Sequence, residues 1–171
     1  ATLFLKNRIS SSEISNIFNL GYAPNKNKGL LNFLIKNGYR EDIIISSGLC
    51  SKNDKGEIYD RFRDRIIFPI HNSTYEIVGF GGRALSASAN AKYLNSPETE
   101  VFQKGKLLFN ENNCKKNLNG KDVIIVEGYM DVIALNKVGI KNCVAPLGTA
   151  VTLDQLHRIW RISKSPIFAF D

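Results

Sequence analysis

Val123-Ile124-Ile125-Val126-Glu127-Gly128-Tyr129-Met130-Asp131 is the passage on which the reading of this chain turns. Four β-branched apolar residues run straight into a carboxylate and a glycine, and a helical pattern follows. A short, continuous apolar run of this kind predicts a strand buried on both faces. Open α/β sheets bind their ligands beyond the carboxyl ends of such strands, so Glu127 is a candidate site residue. Outward from it, the pattern predicts strands at 142–146 and 166–170 and helices near 129–138 and 152–163. Gly139 is placed to stop the first helix and Thr152 to cap the second. The order β-α-β-α-β predicts a parallel sheet with right-handed crossovers. Pro166-Ile167-Phe168-Ala169-Phe170-Asp171 repeats the device of an apolar strand ending in an acid. Glu127 and Asp171 together suggest a metal site for phosphate chemistry. Asp131 projects near the same edge. Capping of the helix is the competing role for Glu127 and Asp131, because acids are favoured at a helix N-terminus.

Upstream, residues 10–46 carry helical spacing. Ser10 and Glu13 suit a capping box, Ile14, Ile17 and Phe18 follow on one face, and Gly21-Tyr22-Ala23-Pro24 ends the helix. Leu30, Leu31, Phe33 and Leu34 mark a second helix, and 40–46 a third. Strands at 66–70 and 76–80 join through His71-Asn72-Ser73-Thr74. Arg61, Arg63 and Arg65 alternate ahead of them, which on a strand would put all three on one face with Phe62 on the other. Gly81-Gly82-Arg83 sets an arginine beside bare backbone, while Lys92-Tyr93-Leu94-Asn95 and Lys104-Gly105-Lys106 add ammonium groups around an aromatic ring. Guanidinium forks and ammonium charges suit phosphates, so these blocks predict a phosphate-tracking groove. An ordinary solvated face explains the charges alone, but not the glycines or the Asn95-Ser96-Pro97-Glu98-Thr99 turn. The Leu147-Gly148-Thr149-Ala150 loop reads as a plain βα connection that could also accept phosphate.

The 171 residues hold 23 Lys plus Arg against 16 Asp plus Glu, a net charge of +7 that leans toward a polyanionic partner without naming one. Cys50, Cys114 and Cys143 stand too far apart for a local zinc site, and such sparse thiols suit a reducing compartment. His71 and His157 are isolated and are not expected to bind metal. No apolar run is long enough to span a bilayer and no leader opens the chain, so a soluble, intracellular protein is expected.

Taken in order, several blocks resemble signature motifs of bacterial DnaG-type DNA primases. These are Asn19-Leu20-Gly21-Tyr22-Ala23-Pro24, Tyr59 through Ile70, Gly79-Phe80-Gly81-Gly82-Arg83, Lys92 through Thr99 and Phe102-Gln103-Lys104-Gly105. Val126 through Asp131 and Ala145 through Ala150 resemble the first half of that family's TOPRIM fold. The resemblance covers essentially the whole chain. It implies an α/β protein with an α+β N-terminal subdomain over 1–119 and a partial TOPRIM domain over 120–171. Ile9 and Tyr75 stand where the family usually or often has glycine.

The implied activity is synthesis of short RNA primers on single-stranded DNA from ribonucleoside triphosphates, with Mg²⁺ or Mn²⁺ assisting nucleotidyl transfer. Glu127 is then a metal ligand or general acid/base, Asp171 a first metal ligand, and Asp131 part of the acidic cluster. Arg61, Arg63, Arg83, Lys92, Asn95 and Lys104 would line the groove for template and triphosphate. The resemblance also implies zinc only in a domain preceding residue 1, and a replicative helicase engaged through a region after residue 171. Asp171 would open an Asp-x-Asp metal motif, so the isolated chain is expected to make no primers. The family works in the bacterial cytoplasm, at the replication fork. A topoisomerase or TOPRIM nuclease would share the Glu127 passage but not the 59–70 and 92–105 blocks, and a non-catalytic nucleic-acid-binding remnant is the third alternative.

Overall fold

The computed structural model describes residues 12–148 and 150–170. Arg8, Ile9, Ser10, Thr149 and Asp171 lie outside the described residues. Helix α1 (Ser12–Ile17) leads into strand β1 (Gly21–Ala23), then α2 (Gly29–Lys36) and α3 (Glu41–Ser46). The expected helix stop at 21–24 is thus itself a strand. It pairs antiparallel with the later strand at residues 65–67, and it is this pairing that the local sequence does not reveal. No side chain caps α2 locally. Asp60, buried, does so from a distance: its carboxylate accepts the amides of Leu30 and Leu31 at 2.8 and 2.9 Å. That bond anchors a small hairpin, β2 (Cys50–Lys52) and β3 (Ile58–Asp60), against the helices through Leu31, Ile44 and Cys50.

The N-terminal half is organised by β4 (Arg65–His71), β5 (Ile77–Ala84) and β6 (Tyr93–Asn95), which with β1 form an antiparallel sheet in the order β1-β4-β5-β6. Ile66, Phe68 and Ile70 on alternate positions of β4 are essentially inaccessible. Each such side chain contributes about 1.5–3 kcal/mol through burial. The hairpin between β4 and β5 turns at Tyr75, whose φ of 66° lies in the left-handed region that a glycine adopts freely. Its ring is held by the ammonium of Lys116, 4.4 Å from the ring centre.

A one-turn 3₁₀ helix (Lys104–Lys106) precedes β7 (Leu108–Phe109) and α4 (Glu111–Lys116). The pattern then alternates as expected: β8 (Ile124–Val126), α5 (Tyr129–Lys137), β9 (Cys143–Pro146), α6 (Leu153–Trp160) and β10 (Ile167–Ala169). Strands β10, β8 and β9 are parallel, and β7 adds an antiparallel edge beside β9. Gly139 closes α5 with φ 85°. Thr152 caps α6 by accepting the Gln155 amide at 3.2 Å.

One apolar cluster crosses from the first half into the second, joining Ile66, Phe68 and Phe102 to Val126, Tyr129, Val132, Cys143 and Ala145. The other face of the parallel sheet packs Val123, Ile125 and Val144 against Leu108, Cys114 and Ile159. The carboxylate of Glu111, also buried, ties α4 to α6 by accepting from the Arg158 guanidinium at 2.6 and 2.9 Å. Among the described residues no helix is long and apolar enough to cross a membrane.

All three cysteines are free and buried. Burial pushes Cys50 up to about 11 and Cys114 and Cys143 up to about 12. These thiols stay neutral in the fold but ionise in the unfolded chain near 9.0. Their stabilising contribution is therefore complete below that value and is lost as pH rises toward 11 to 12. Urea unfolding in reductant should give a lower midpoint at about pH 10.5 than at about pH 8. Equal midpoints would contradict the buried thiols.

Candidate active site and nucleic-acid interface

Strand β8 ends at Val126, and the chain bends at Glu127 and Gly128 before α5 begins. Glu127 stands exposed at this tip. The register Ala169↔Val126 brings β10 to the same edge, and Pro146 and Leu147 at the end of β9 complete it. Asp131 takes the capping role: its carboxylate accepts the Gly128 amide at 3.0 Å. It also lines the cavity at this edge, so capping and the site coincide there.

Tyr129, one residue past Gly128, holds the tip in place. Its ring stacks on Phe68 with centroids 5.1 Å apart and meets Phe109 edge-on at 4.8 Å. It lies so close to β5 that a Cβ on Gly81 would come within 2.6 Å of it. A Cβ on Gly79 would come within 2.4 Å of the Phe102 ring, and one on Gly82 within 2.8 Å of Phe62. The glycines of the 79–83 block therefore make room for aromatic rings.

A cavity of about 620 Å³ opens at the strand tips, lined by Glu127 and Asp131, by Arg61, Asn95 and Lys104, and by Leu147 and Gly148. Five of the expected site residues thus meet around one space although they come from four separate blocks. A smaller cavity of about 260 Å³ shares Arg61 with it and adds Arg63, Arg65 and Tyr59. Arg63 rests on the Tyr59 ring, 5.0 Å from its centre, and donates to the Asp60 carbonyl at 2.9 Å.

The three arginines do not lie along one strand as expected. Strand β4 begins only at Arg65, and Asp64 just before it has φ 48°, which turns the chain. Arg65 is buried and donates to the carbonyls of Ala91 at 2.8 Å and Gly82 at 3.4 Å, which fastens the 84–92 connection. Arg83 is also buried, with its guanidinium 5.6 Å from the centre of the Tyr93 ring, and Tyr93 in turn lines the large cavity. Lys92 is exposed on the same turn and lines neither cavity.

Gln155 is a residue that the sequence reading missed. Buried in α6, it donates to the carbonyls of Lys104 at 3.0 Å and Leu107 at 2.9 Å, and so fixes the 3₁₀ turn that carries Lys104. Its only sequence signal was the Thr152-x-x-Gln155 capping pattern. The rings of Tyr59, Tyr93 and Tyr129 also line the two cavities, a placement that nothing local in the sequence marks.

Cationic and acidic side chains thus face one cavity, an arrangement that suits a phosphate chain better than carboxylates alone would. Among the described residues, no three metal-binding side chains gather.

Residues 121–171 match the Toprim domain, the class of parallel fold that the strand order and the acidic tip define. Residues 1–115 match the family described as DNA primase catalytic core, N-terminal domain, and the chain belongs to that family. The DNA primase of Pseudomonas putida is 46% identical over 170 residues, 98% of this chain and 26% of that protein. The chain spans about a quarter of the length of such curated relatives. A solved DnaG primase catalytic domain bound to single-stranded DNA matches with TM-score 0.89 and 38% identity, covering 98% of this chain and 54% of that one. The primase of Aquifex aeolicus, solved with its zinc-binding and RNA polymerase domains, gives TM-score 0.90 and 33% identity over 100% of this chain and 42% of that one.

Replacement Gly81→Ala should force Tyr129 out of its seat and cost about 1–3 kcal/mol. Thermal unfolding should show the corresponding drop in Tm, and an unchanged Tm would contradict the packing described.

Proposed function

We propose that this chain contributes the basic subdomain, residues 1–119, and part of the catalytic TOPRIM domain, residues 120–171, of a cytoplasmic enzyme that makes RNA primers on single-stranded DNA. The carrying observation is the cavity in which Arg61 and Lys104 face Glu127 and Asp131. Carboxylates alone would repel a triphosphate, so a nucleotidyl-transfer site needs both signs of charge. The match of residues 1–115 to the primase core favours this reading over a topoisomerase or nuclease that shares only the Toprim part.

In this reading Arg61, Arg63 and Lys104 hold the phosphates of template and incoming ribonucleotide, exposed Lys92 adds positive charge beside Tyr93, and buried Arg83 supports the Tyr93 ring from behind. Tyr59 and Tyr93 offer flat faces on which bases stack. The 3′-hydroxyl of the growing primer attacks the α-phosphate and pyrophosphate leaves. Glu127, exposed at the strand tip, receives the proton of that hydroxyl or holds the metal, and Asp131 keeps the tip negative. The oxygen donors fit Mg²⁺ or Mn²⁺, which Glu127 and Asp171 would hold. A bound ion there would acidify the attacking hydroxyl and neutralise charge on the leaving group. In this reading a replicative helicase is a partner of the whole enzyme, and no role in holding zinc or the helicase is given to residues 1–171.

The test is ribonucleotide incorporation by the full-length protein on single-stranded template. Glu127→Gln should lower incorporation by about 100-fold or more with the fold intact by circular dichroism. Wild-type incorporation by that variant would overturn the assignment. Separately, affinity of the 171-residue chain for a single-stranded oligonucleotide should fall about tenfold or more between about 50 and 200 mM salt. A flat response would remove the groove.

A further inference from the structure

We infer that Asn95 is a positioning residue that sets the spacing between the cationic rim and the catalytic carboxylate, rather than a ligand for template or triphosphate. The inference rests on the primase reading above and assigns Asn95 a role different from the one its motif suggested. Asn95 closes β6 and stands in register opposite Gly81 of β5, the residue over which the Tyr129 ring is seated. Its backbone carbonyl accepts both Nε and Nη2 of Arg61, at 3.0 and 2.8 Å. Its side-chain Nδ2 donates to the Leu147 carbonyl at 2.6 Å, and its Oδ1 accepts from the Tyr129 hydroxyl at 2.6 Å. One half-buried residue thereby joins an arginine of the basic block, the turn after Glu127 and the loop after β9.

The chemistry of the side chain suits this junction. A carboxamide carries a donor and an acceptor on opposite arms, and here each arm has one short partner. The orientation is not arbitrary: turning the amide over would set Oδ1 against the Leu147 carbonyl, acceptor against acceptor. Aspartate offers the acceptor but no donor for Leu147, alanine offers neither, and serine is too short to reach both.

The junction also holds what regular structure does not. Arg61 belongs to the irregular stretch between β3 and β4, and Glu127 lies on the bend between β8 and α5. Neither is fixed by its own element, so their separation depends on what connects them. A misplacement of about 1 Å at a reacting centre costs on the order of 100-fold in rate.

The test uses the full-length protein and the variants Asn95→Ala, Asn95→Asp, Tyr129→Phe and the double variant Asn95→Ala/Tyr129→Phe. Ribonucleotide incorporation is read as kcat and KM, and hydrogen exchange is followed at the amides of Ser96, Gly128 and Val132, which donate to the Phe80 carbonyl, the Asp131 carboxylate and the Gly128 carbonyl. Both Asn95 variants should lose about tenfold or more in kcat with KM within about threefold, the pattern of lost positioning rather than lost binding. Tyr129→Phe should fall in the same direction, and the double variant should be no slower than Asn95→Ala alone, because both changes remove one linkage. Exchange at the three amides should speed up about tenfold or more in the Asn95 variants. A KM rise of about tenfold with Tyr129→Phe at wild-type rate, or strictly additive losses, would make Asn95 a direct ligand and overturn the inference. So would unchanged exchange. Absence of incorporation by the wild-type protein would count against the primase reading, and exchange would still decide whether Asn95 joins the two halves.

Discussion

The tyrosine after the acidic tip is the contact on which the rest of the structure depends. Tyr129 is the first residue of α5, two positions past Glu127, and its ring is driven into the space between the two large sheets. It can sit there only because β5 carries no side chain at position 81. The aromatic burial that stabilises the fold therefore also fixes the place at which the carboxylate emerges. An enzyme site at the edge of a sheet needs such an anchor, because a strand tip has no partner beyond its last hydrogen bond.

Charge in this protein divides into groups that only build and groups that also face an open cavity. Asp60 caps a helix from another strand, Glu111 joins two helices through Arg158, and Arg65 holds down a connecting segment. These buried or half-buried groups have definite partners, as burial requires. Arg61, Lys104, Glu127 and Asp131 meet at an open cavity, where Arg61 and Asp131 also keep bonds to the Asn95 carbonyl and the Gly128 amide. A net charge of +7 describes neither arrangement, since it counts Arg65 and Lys104 alike.

The alternating half was legible almost element by element. Strands at 124–126, 143–146 and 167–169, with the helices between them, follow from continuous apolar runs and from caps at Thr152 and Gly139. Those signals are local, because a doubly buried strand and a capped helix each announce themselves within a few residues. The residues around the cavity were legible too, by their chemistry and by likeness to known motifs. Less visible were β1, the β2–β3 hairpin and β7, each two or three residues long and held by distant partners. The alternation of Arg61, Arg63 and Arg65 misled, because a single left-handed residue at Asp64 breaks the strand that period two implies.

By itself the sequence determined the parallel α/β order, the acid at a strand tip, the excess of cations upstream and the membership of motifs in one family. Only the tertiary structure decided what each polar group does. It turned the glycines at 79, 81 and 82 into seats for aromatic rings, gave Gln155 the task of holding the turn at Lys104, and gave Asn95 partners in three separate segments. The physical reason is range. Periodicity and capping act between residues a few positions apart. A hydrogen bond from residue 95 to residue 147, or a ring from position 129 over position 81, exists only once the chain has closed on itself.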